Sequence, residues 1–152
     1  MKKFEQLALG AAVCALWASG QVLAEDMKLS ACLHNGITIG GVASCGKVWK
    51  LASGHAELKP GGKLKFQVKG LVLDDASTGD ANGTADGVDA VAPAVVCGDK
   101  VAAQGKPVKL SKNGDAKGSA KFKIPSDCAT PVVILRERYE GKIGGWLAAT
   151  GQ

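Results

Sequence analysis

The chain has 152 residues, 46% of them hydrophobic and 22% charged, with a formal net charge of +5. By the usual size of domains, the 128 residues that follow residue 24 suit one domain with a single two-layer core. After Glu25 no segment approaches the roughly 20 consecutive apolar residues of a transmembrane helix. We therefore expect one soluble domain with no transmembrane segment in the mature chain.

The N-terminus, residues 1–24, has the three parts of a secretory signal peptide. It begins with the basic pair Lys2-Lys3 and continues with an apolar stretch over residues 7–17. It ends in a cleavage site at residues 22–24. We predict a cleaved signal helix that ends before Glu25. Because the segment holds two lysines and one glutamate, its removal lowers the net charge from +5 to +4. The predicted localisation is the periplasm or the exterior of the cell.

Two alternatives for this segment are a lipoprotein signal and an uncleaved anchor. A lipoprotein signal needs a leucine three residues before the modified cysteine, whereas Cys14 follows Ala11-Ala12-Val13. An uncleaved anchor needs a longer apolar run than one interrupted at Ser19, Gly20 and Gln21. Cleavage agrees best with the residues.

Four cysteines remain in residues 25–152, namely Cys32, Cys45, Cys97 and Cys128. An even number of cysteines in an oxidising compartment favours two disulfides. The set contains no C-x-x-C pair of the kind used by zinc sites or thioredoxin-like redox motifs. Four cysteines allow three connectivities, and the spacings alone leave all three open.

Strand and turn signals fill the first half of this domain. Asn35-Gly36 predicts a type I′ hairpin turn, whose two central positions both need positive φ. Pro60-Gly61 fits the centre of a type II turn. Residues Lys63–Lys69 alternate polar and apolar side chains, so they predict a strand whose apolar side chains share one face and whose lysines share the other.

The segment 74–92 breaks this rhythm with small and acidic residues and no lysine or arginine. We predict a flexible acidic loop. Within it, oxygen-bearing side chains alternate in a pattern that resembles a distorted calcium-binding loop. The candidate calcium ligands are Asp80, Asn82, Thr84, Asp86 and Asp89.

This calcium pattern departs from the usual loop at three positions. Thr84 replaces a carboxylate, Gly87 is displaced from the sixth position, and Val91 occupies the twelfth position in place of a bidentate glutamate. The alternative is a solvated loop whose carboxylates repel one another and bind no metal.

The second half contains further strands. Gly98-Asp99 predicts a type II′ hairpin, and the alternation in 107–110 and 121–124 predicts two more strands. The continuous, mostly β-branched run Val132–Leu135 predicts a strand that is buried on both sides or that ends in the core. About eight or nine short strands at this spacing predict an all-β, two-layer antiparallel β-sandwich of immunoglobulin-like type.

Aromatic residues are scarce, and we expect them to fill the core. In residues 25–152 they are Trp49, Phe66, Phe122, Tyr139 and Trp146. Large rings bury much of their area when the remaining core is valine, leucine and alanine. The alternative is that one of the tryptophans forms a binding platform.

Motifs of catalysis are missing. The chain has no G-x-S-x-G, H-E-x-x-H, phosphate-binding or dinucleotide-binding motif, and the adjacency in Ser53-Gly54-His55 says little about geometry. Cys32, His34 and His55 would form a transition-metal site if the thiol were reduced. We instead expect both histidines in exposed loops, no enzyme activity, and no cofactor apart from the calcium alternative.

Lysines form the remaining candidate site. Lys63, Lys65 and Lys69 share one strand face, and Lys121 and Lys123 share another. If those strands are neighbours, they form a basic stripe suited to an anionic polymer of the envelope or to lipid head groups. We do not expect nucleic acid. The alternative is that these lysines prevent sheets from pairing with one another.

Several segments after Gly54 carry a family resemblance. They are residues 70–73 after an alternating strand, 95–98 with 101–102, 114–116, 124–125 with Cys128 and Pro131, and 146–151. In these segments the chain resembles small exported bacterial proteins without an assigned function. The resemblance implies a β-sandwich in which Cys97 pairs with Cys128, and it implies no activity. Cys32 and Cys45 are then left as the second pair.

Together these observations favour an exported, non-catalytic β-sandwich that serves as a binding or structural module of the bacterial envelope. Its partner would be an anionic envelope polymer or a protein. The alternative is a module whose acidic loop is ordered by calcium.

Overall fold

A computed structural model of the chain describes residues 25–152, so the predicted signal peptide lies outside the described residues. The described chain is almost entirely β, with one short 3-10 helix at Ala76–Ala81. The thirteen strands are β1 (Glu25–Ala31), β2 (Thr38–Ile39), β3 (Val42–Ala43), β4 (Trp49–Lys50), β5 (Ser53–Leu58), β6 (Lys63–Lys69), β7 (Val72–Leu73), β8 (Val88–Cys97), β9 (Lys100–Gln104), β10 (Val108–Lys109), β11 (Ala116–Lys121), β12 (Val132–Tyr139) and β13 (Lys142–Thr150).

Most strands belong to one curled antiparallel sheet. Its order is β10-β8-β12-β13-β1-β5-β6-β11, and β9 pairs with β8 beside this path. β1 connects the two halves, because residues 25–28 pair with β5 and residues 29–31 pair with β13. The ends of the path approach each other, since a Cβ added at Gly118 in β11 would lie 2.7 Å from the Cγ2 atom of Val108 in β10.

The half of the sheet formed by β5, β6 and β11 is amphipathic. In β6 the side chains of Leu64, Phe66 and Val68 are buried in the core, while Lys63 and Lys65 are exposed. The predicted strand at 63–69 is therefore confirmed together with its inner and outer faces. β6 is paired on both sides, with β5 and with β11.

The half formed by β8, β12 and β13 is covered on both faces. Val133, Ile134 and Leu135 are consecutive residues of β12, and each has 0% exposure. This confirms the predicted strand at 132–135, which is buried on both sides. The chain between β1 and β5 supplies part of the cover, because a Cβ at Gly40 would lie 2.6 Å from the side chain of Val96.

Two disulfides hold this arrangement, and both pairs agree with those expected above. Cys32 and Cys45 are joined within the connection between β1 and β5, and both are buried. Cys97 at the end of β8 is joined to Cys128, which lies in the irregular segment 122–131. The second bridge therefore fixes a segment that has no strand pairing of its own.

Two predicted turns are confirmed and one is wrong. The Gly62 amide donates to the Lys59 carbonyl at 3.0 Å across Pro60-Gly61, and Gly98-Asp99 joins β8 to β9. At Asn35-Gly36 the chain turns without forming a hairpin, and Gly36 has a positive φ whereas Asn35 does not. Two-residue turns with two positive φ values are instead Gly40-Gly41, between β2 and β3, and Glu140-Gly141, between β12 and β13.

Two segment boundaries and the exposure of one aromatic side chain also differ from the predictions. The acidic loop ends at Gly87, because residues 88–92 already belong to β8 and are buried apart from Asp89. The predicted strand at 121–124 is wrong, since β11 ends at Lys121 and Pro125 cannot donate a hydrogen bond to a sheet. Trp49, Phe66, Phe122 and Trp146 are buried as expected, but Tyr139 is 50% exposed at the β12–β13 turn.

The all-β class is confirmed, and the sandwich and immunoglobulin-like arrangement stay predictions. In residues 25–152 no helix has the length and apolar character needed to cross a membrane.

Candidate binding face

The outer surface of β1, β5, β6 and β11 carries a cluster of lysines on regular strands. These four strands are hydrogen-bonded neighbours in that order. Because side chains alternate along a strand, every second residue of each strand points away from the core. We call this surface the basic face; its residues are Asp26, Lys28, Ser53, His55, Glu57, Lys63, Lys65, Gln67, Lys69, Lys117, Ser119 and Lys121.

The strand register places these side chains in rows across the face. One row is formed by Lys28, His55, Gln67 and Lys117, which are direct cross-strand partners in turn. The neighbouring row includes Glu57, Lys65 and Ser119 and continues to Asp26. The face therefore carries six lysines and two carboxylates, which is a large excess of positive charge over a small area.

One cross-strand pair on this face is unfavourable for folding. Lys63 in β6 lies directly opposite Lys121 in β11. Like charges in directly opposed positions of an antiparallel pair are destabilising. By contrast, Lys65 lies opposite Glu57, which is a favourable arrangement. Packing of the sheet does not require lysine at both positions of the Lys63–Lys121 pair.

The six lysines of the basic face are not neutralised by ion pairs within residues 25–152. The four salt bridges of these residues are Lys47–Asp75, Lys50–Asp74, Lys59–Glu57 and Arg138–Asp89. Glu57, one of the two carboxylates on the face, thus pairs with Lys59 at the edge, with 3.5 Å between Nζ and Oε1. The positive charge of the face is consequently available to a ligand.

His55 lies in the middle of this face, within β5 and not in the loop that we expected. It is exposed, as is Ser53, and no hydrogen bond joins the two side chains among those of residues 25–152. His34, in contrast, is exposed beside the turn at 35–36. Because Cys32 is in a disulfide, the transition-metal site built on its thiolate is wrong.

The candidate calcium ligands are engaged in other interactions. The Asn82 Oδ1 atom accepts from the Asp75 amide at 3.0 Å, and the Thr84 hydroxyl donates to the Ala81 carbonyl at 2.7 Å. Asp89 lies in β8, where it accepts two hydrogen bonds from Arg138 at 2.9 and 2.7 Å. These hydrogen bonds hold the pKa of the Asp89 carboxyl below its usual value.

The two remaining candidates, Asp80 and Asp86, are exposed. Within residues 25–152 no three acidic, histidine or cysteine side chains are grouped in a way that would hold a metal ion. The calcium site stays a prediction.

The acidic segment is nevertheless ordered by its own hydrogen bonds. The Asp75 carboxylate accepts from both the amide and the hydroxyl of Ser77, at 2.9 and 2.6 Å, and these bonds lower the pKa of Asp75. Lys47 and Lys50 contribute ion pairs to Asp75 and Asp74. Part of the negative charge of this segment is thus balanced locally.

Sequence reasoning identified part of the basic face and missed the rest. The alternation predicts that Lys63, Lys65 and Lys69 share one strand face. A basic stripe then requires that a second strand with lysines on the same face be hydrogen-bonded beside it. That strand exists, but its lysines are Lys117 and Lys121, since Lys123 lies beyond the end of β11. The period of two in Lys117-Gly-Ser-Ala-Lys121 was the available signal, whereas nothing local indicated that β1 would add Lys28.

Comparisons with protein-family models, with curated proteins and with solved structures found no match to this chain. The resemblance to exported bacterial proteins therefore stays a prediction. The functional argument that follows depends on the geometry and charge of the residues themselves.

Proposed function

We propose that this protein is an exported, non-catalytic binding module of the bacterial envelope, and that its basic face binds an anionic polymer. The observation that carries the proposal is the group of six lysines on four adjacent strands, with no ion pair to any of them among residues 25–152. A surface with a large excess of positive charge attracts and orients a polyanion. Two disulfides agree with an oxidising compartment, because such bonds rarely persist in the cytoplasm.

Protection of sheet edges is the competing explanation for surface lysines. That explanation applies to strands with an unpaired edge. Lys63, Lys65 and Lys69 lie on β6, which is hydrogen-bonded to strands on both sides and has no free edge to protect. Edge protection does account for Lys117 and Lys121, because β11 is the last strand of the path and pairs only with β6. The three lysines of β6 are the ones that favour a ligand.

The finer description of the fold belongs to the same proposal. We infer a two-layer, immunoglobulin-like sandwich in which β1, β5, β6 and β11 form one layer and the strands around β8, β12 and β13 form the other. The support is the division of β1, whose first half pairs with β5 and whose second half pairs with β13. One layer would then present the basic face, while the other provides a fully buried support.

The test is the affinity of the protein for polygalacturonate, a carboxylated polysaccharide, with neutral dextran as the reference polymer. The variant K63Q/K65Q/K117Q removes three charges from the basic face. The matched control K100Q/K106Q/K142Q removes three charges from exposed positions elsewhere. Both variants have the same net charge, so a difference between them reports position and not overall charge.

We expect the basic-face variant to bind polygalacturonate about tenfold more weakly than the wild type. The reason is that three exposed charge pairs are lost, each of which contributes roughly 0.5 kcal/mol to the binding free energy. The control should remain within about twofold of the wild type. Binding should weaken as salt is raised, because exposed charges are screened. Equal losses in the two variants, or binding to dextran of similar strength, would contradict the proposal.

A further inference from the structure

A cleft of about 430 Å³ lies at one end of the molecule, beside the basic face and separate from it. One wall is the β5–β6 turn, and the other is the irregular segment 122–131. The residues that shape it include Met27, Pro60, Phe122, Ile124, Pro125 and Pro131. This volume lies in the range of about 300–1,000 Å³ that is typical of small-molecule sites, which are mostly apolar.

The two walls are fixed to each other by close backbone contact. The Phe122 amide donates to the Gly62 carbonyl at 2.8 Å, and a Cβ at Gly62 would lie 1.8 Å from the Phe122 carbonyl oxygen. Glycine is therefore required at this position, where φ is +89°. The far end of the second wall is held by the Cys97–Cys128 disulfide and by the hydrogen bond from the Cys128 amide to the Pro125 carbonyl. The cleft is preformed.

The charge at the rim of the cleft is positive. Lys59 and Lys123 line it together with the apolar residues, and no carboxylate does. Lys59 is paired with Glu57 at 3.5 Å, in a contact where both side chains are partly exposed. Lys123 is exposed and forms no ion pair with any of residues 25–152. An apolar cleft with a cationic rim is complementary to a ligand that has an apolar chain and an acidic head.

We propose that this cleft binds the acyl chain of an anionic amphiphile, with the acidic head group at Lys123 and Lys59. The chain would lie between the proline-rich walls, against Met27 and Ile124, and its head would remain at the solvent boundary. This site is distinct from the basic face, and either proposal can fail while the other stands.

The test is calorimetric titration of the purified protein with decanoate and dodecanoate, both below their micellar concentrations, and with the uncharged dodecanol below its solubility limit. Two variants probe the cleft, and two are matched controls. Lys123→Gln removes the rim charge, and Ile124→Ser makes one wall polar. Lys106→Gln is the matched charge control, because Lys106 is exposed outside both the cleft and the basic face. Leu33→Ser is the matched apolar control, because Leu33 is exposed outside the cleft.

We expect dodecanoate to bind more tightly than decanoate by about two- to fourfold for each added methylene group. Lys123→Gln should lower the affinity for dodecanoate by about two- to fivefold, as expected when an exposed charge pair is lost, and should leave the affinity for dodecanol unchanged. Ile124→Ser should lower the affinity for both ligands, and the two control variants should lower neither affinity.

The proposal is overturned if dodecanoate does not bind or if affinity is independent of chain length. It is also overturned if the control variants lose as much affinity for dodecanoate as the cleft variants do. The K63Q/K65Q/K117Q variant separates the two proposals. It should keep its affinity for dodecanoate while losing affinity for polygalacturonate, and an equal loss of both would contradict a separate cleft site.

Discussion

β6 and β12 belong to the same curled sheet but meet their surroundings in opposite ways. In β6 the buried and exposed side chains alternate, whereas three consecutive residues of β12, Val133–Leu135, are fully buried. The disulfide-linked chain between β1 and β5 packs against the β12 half, where Gly40 contacts Val96. The difference shows that side chains of one half of the sheet are buried on both faces, while the other half keeps one charged face exposed to solvent.

The largest effect should come from removing a buried side chain in the doubly covered half. Leu135→Ala should lower the free energy of unfolding by about 2–5 kcal/mol, because it leaves a cavity in a packed core. Leu33→Ala is the control, since Leu33 is 56% exposed, and it should stay within about 0.5 kcal/mol of the wild type. Urea unfolding measures both. A decrease of less than 1 kcal/mol in the free energy of unfolding for Leu135→Ala would contradict burial of β12 on both faces.

The second effect concerns the disulfide in the covering segment. Replacing both Cys32 and Cys45 with alanine opens a loop with a sequence separation of 13, and chain entropy predicts a loss of about 3 kcal/mol. Hydrogen exchange should increase in β8 and β13, which this segment contacts, before it increases in β6. Uniform acceleration along the sheet would show that the segment does not protect one half selectively.

A smaller effect should come from the partly buried carboxyl of Glu137 in β12. Burial raises its pKa above the usual 4.5, although the hydrogen bond from the Gly145 amide opposes this. A raised pKa means that the folded state favours the protonated form of Glu137. The protonated carboxyl therefore stabilises the fold fully below pH 4.5, and this stabilisation is lost as the pH rises through the folded-state pKa.

Glu137→Gln cannot ionise, so it should be more stable than the wild type at pH 7 and show no such gain at pH 3.5. Thermal unfolding at the two pH values measures this, with the exposed Glu140→Gln variant as control. A gain of equal size at both pH values would show that ionisation is not its cause.

The smallest effect should come from calcium. The oxygens of Asn82 and Thr84 are used in hydrogen bonds, and Asp89 is held by Arg138. We therefore expect no heat when calcium is titrated to millimolar concentration and no protection of residues 74–89 from protease. Saturable heat that Asp80→Asn and Asp86→Asn abolish would establish the calcium site instead.

Local patterns predicted the strands whose composition matches their environment. Alternation in 63–69 and the β-branched run at 132–135 each encode burial directly. Residues 88–92 are predicted as loop because they are small or acidic and show no apolar periodicity, yet pairing with β12 and β10 buries all of them except Asp89.

The basic face could be predicted only in part, for a related reason. Alternation orients lysines within a strand, but the order of strands is a long-range property of the chain. The pairings of β1 with β5 and of β6 with β11 bring Lys28, Lys65 and Lys117 onto one surface, although they are far apart in sequence. The cleft was missed because its wall is irregular and is positioned by a disulfide.

The most direct test of the basic face is a map of backbone amide chemical shifts during titration with polygalacturonate. The account predicts that the largest changes lie in β5, β6 and β11, with Lys65 and Lys117 among them, and that Lys100, Lys106 and Lys142 change little. Changes of similar size at all exposed lysines, or changes centred on the β8–β12 half, would contradict it.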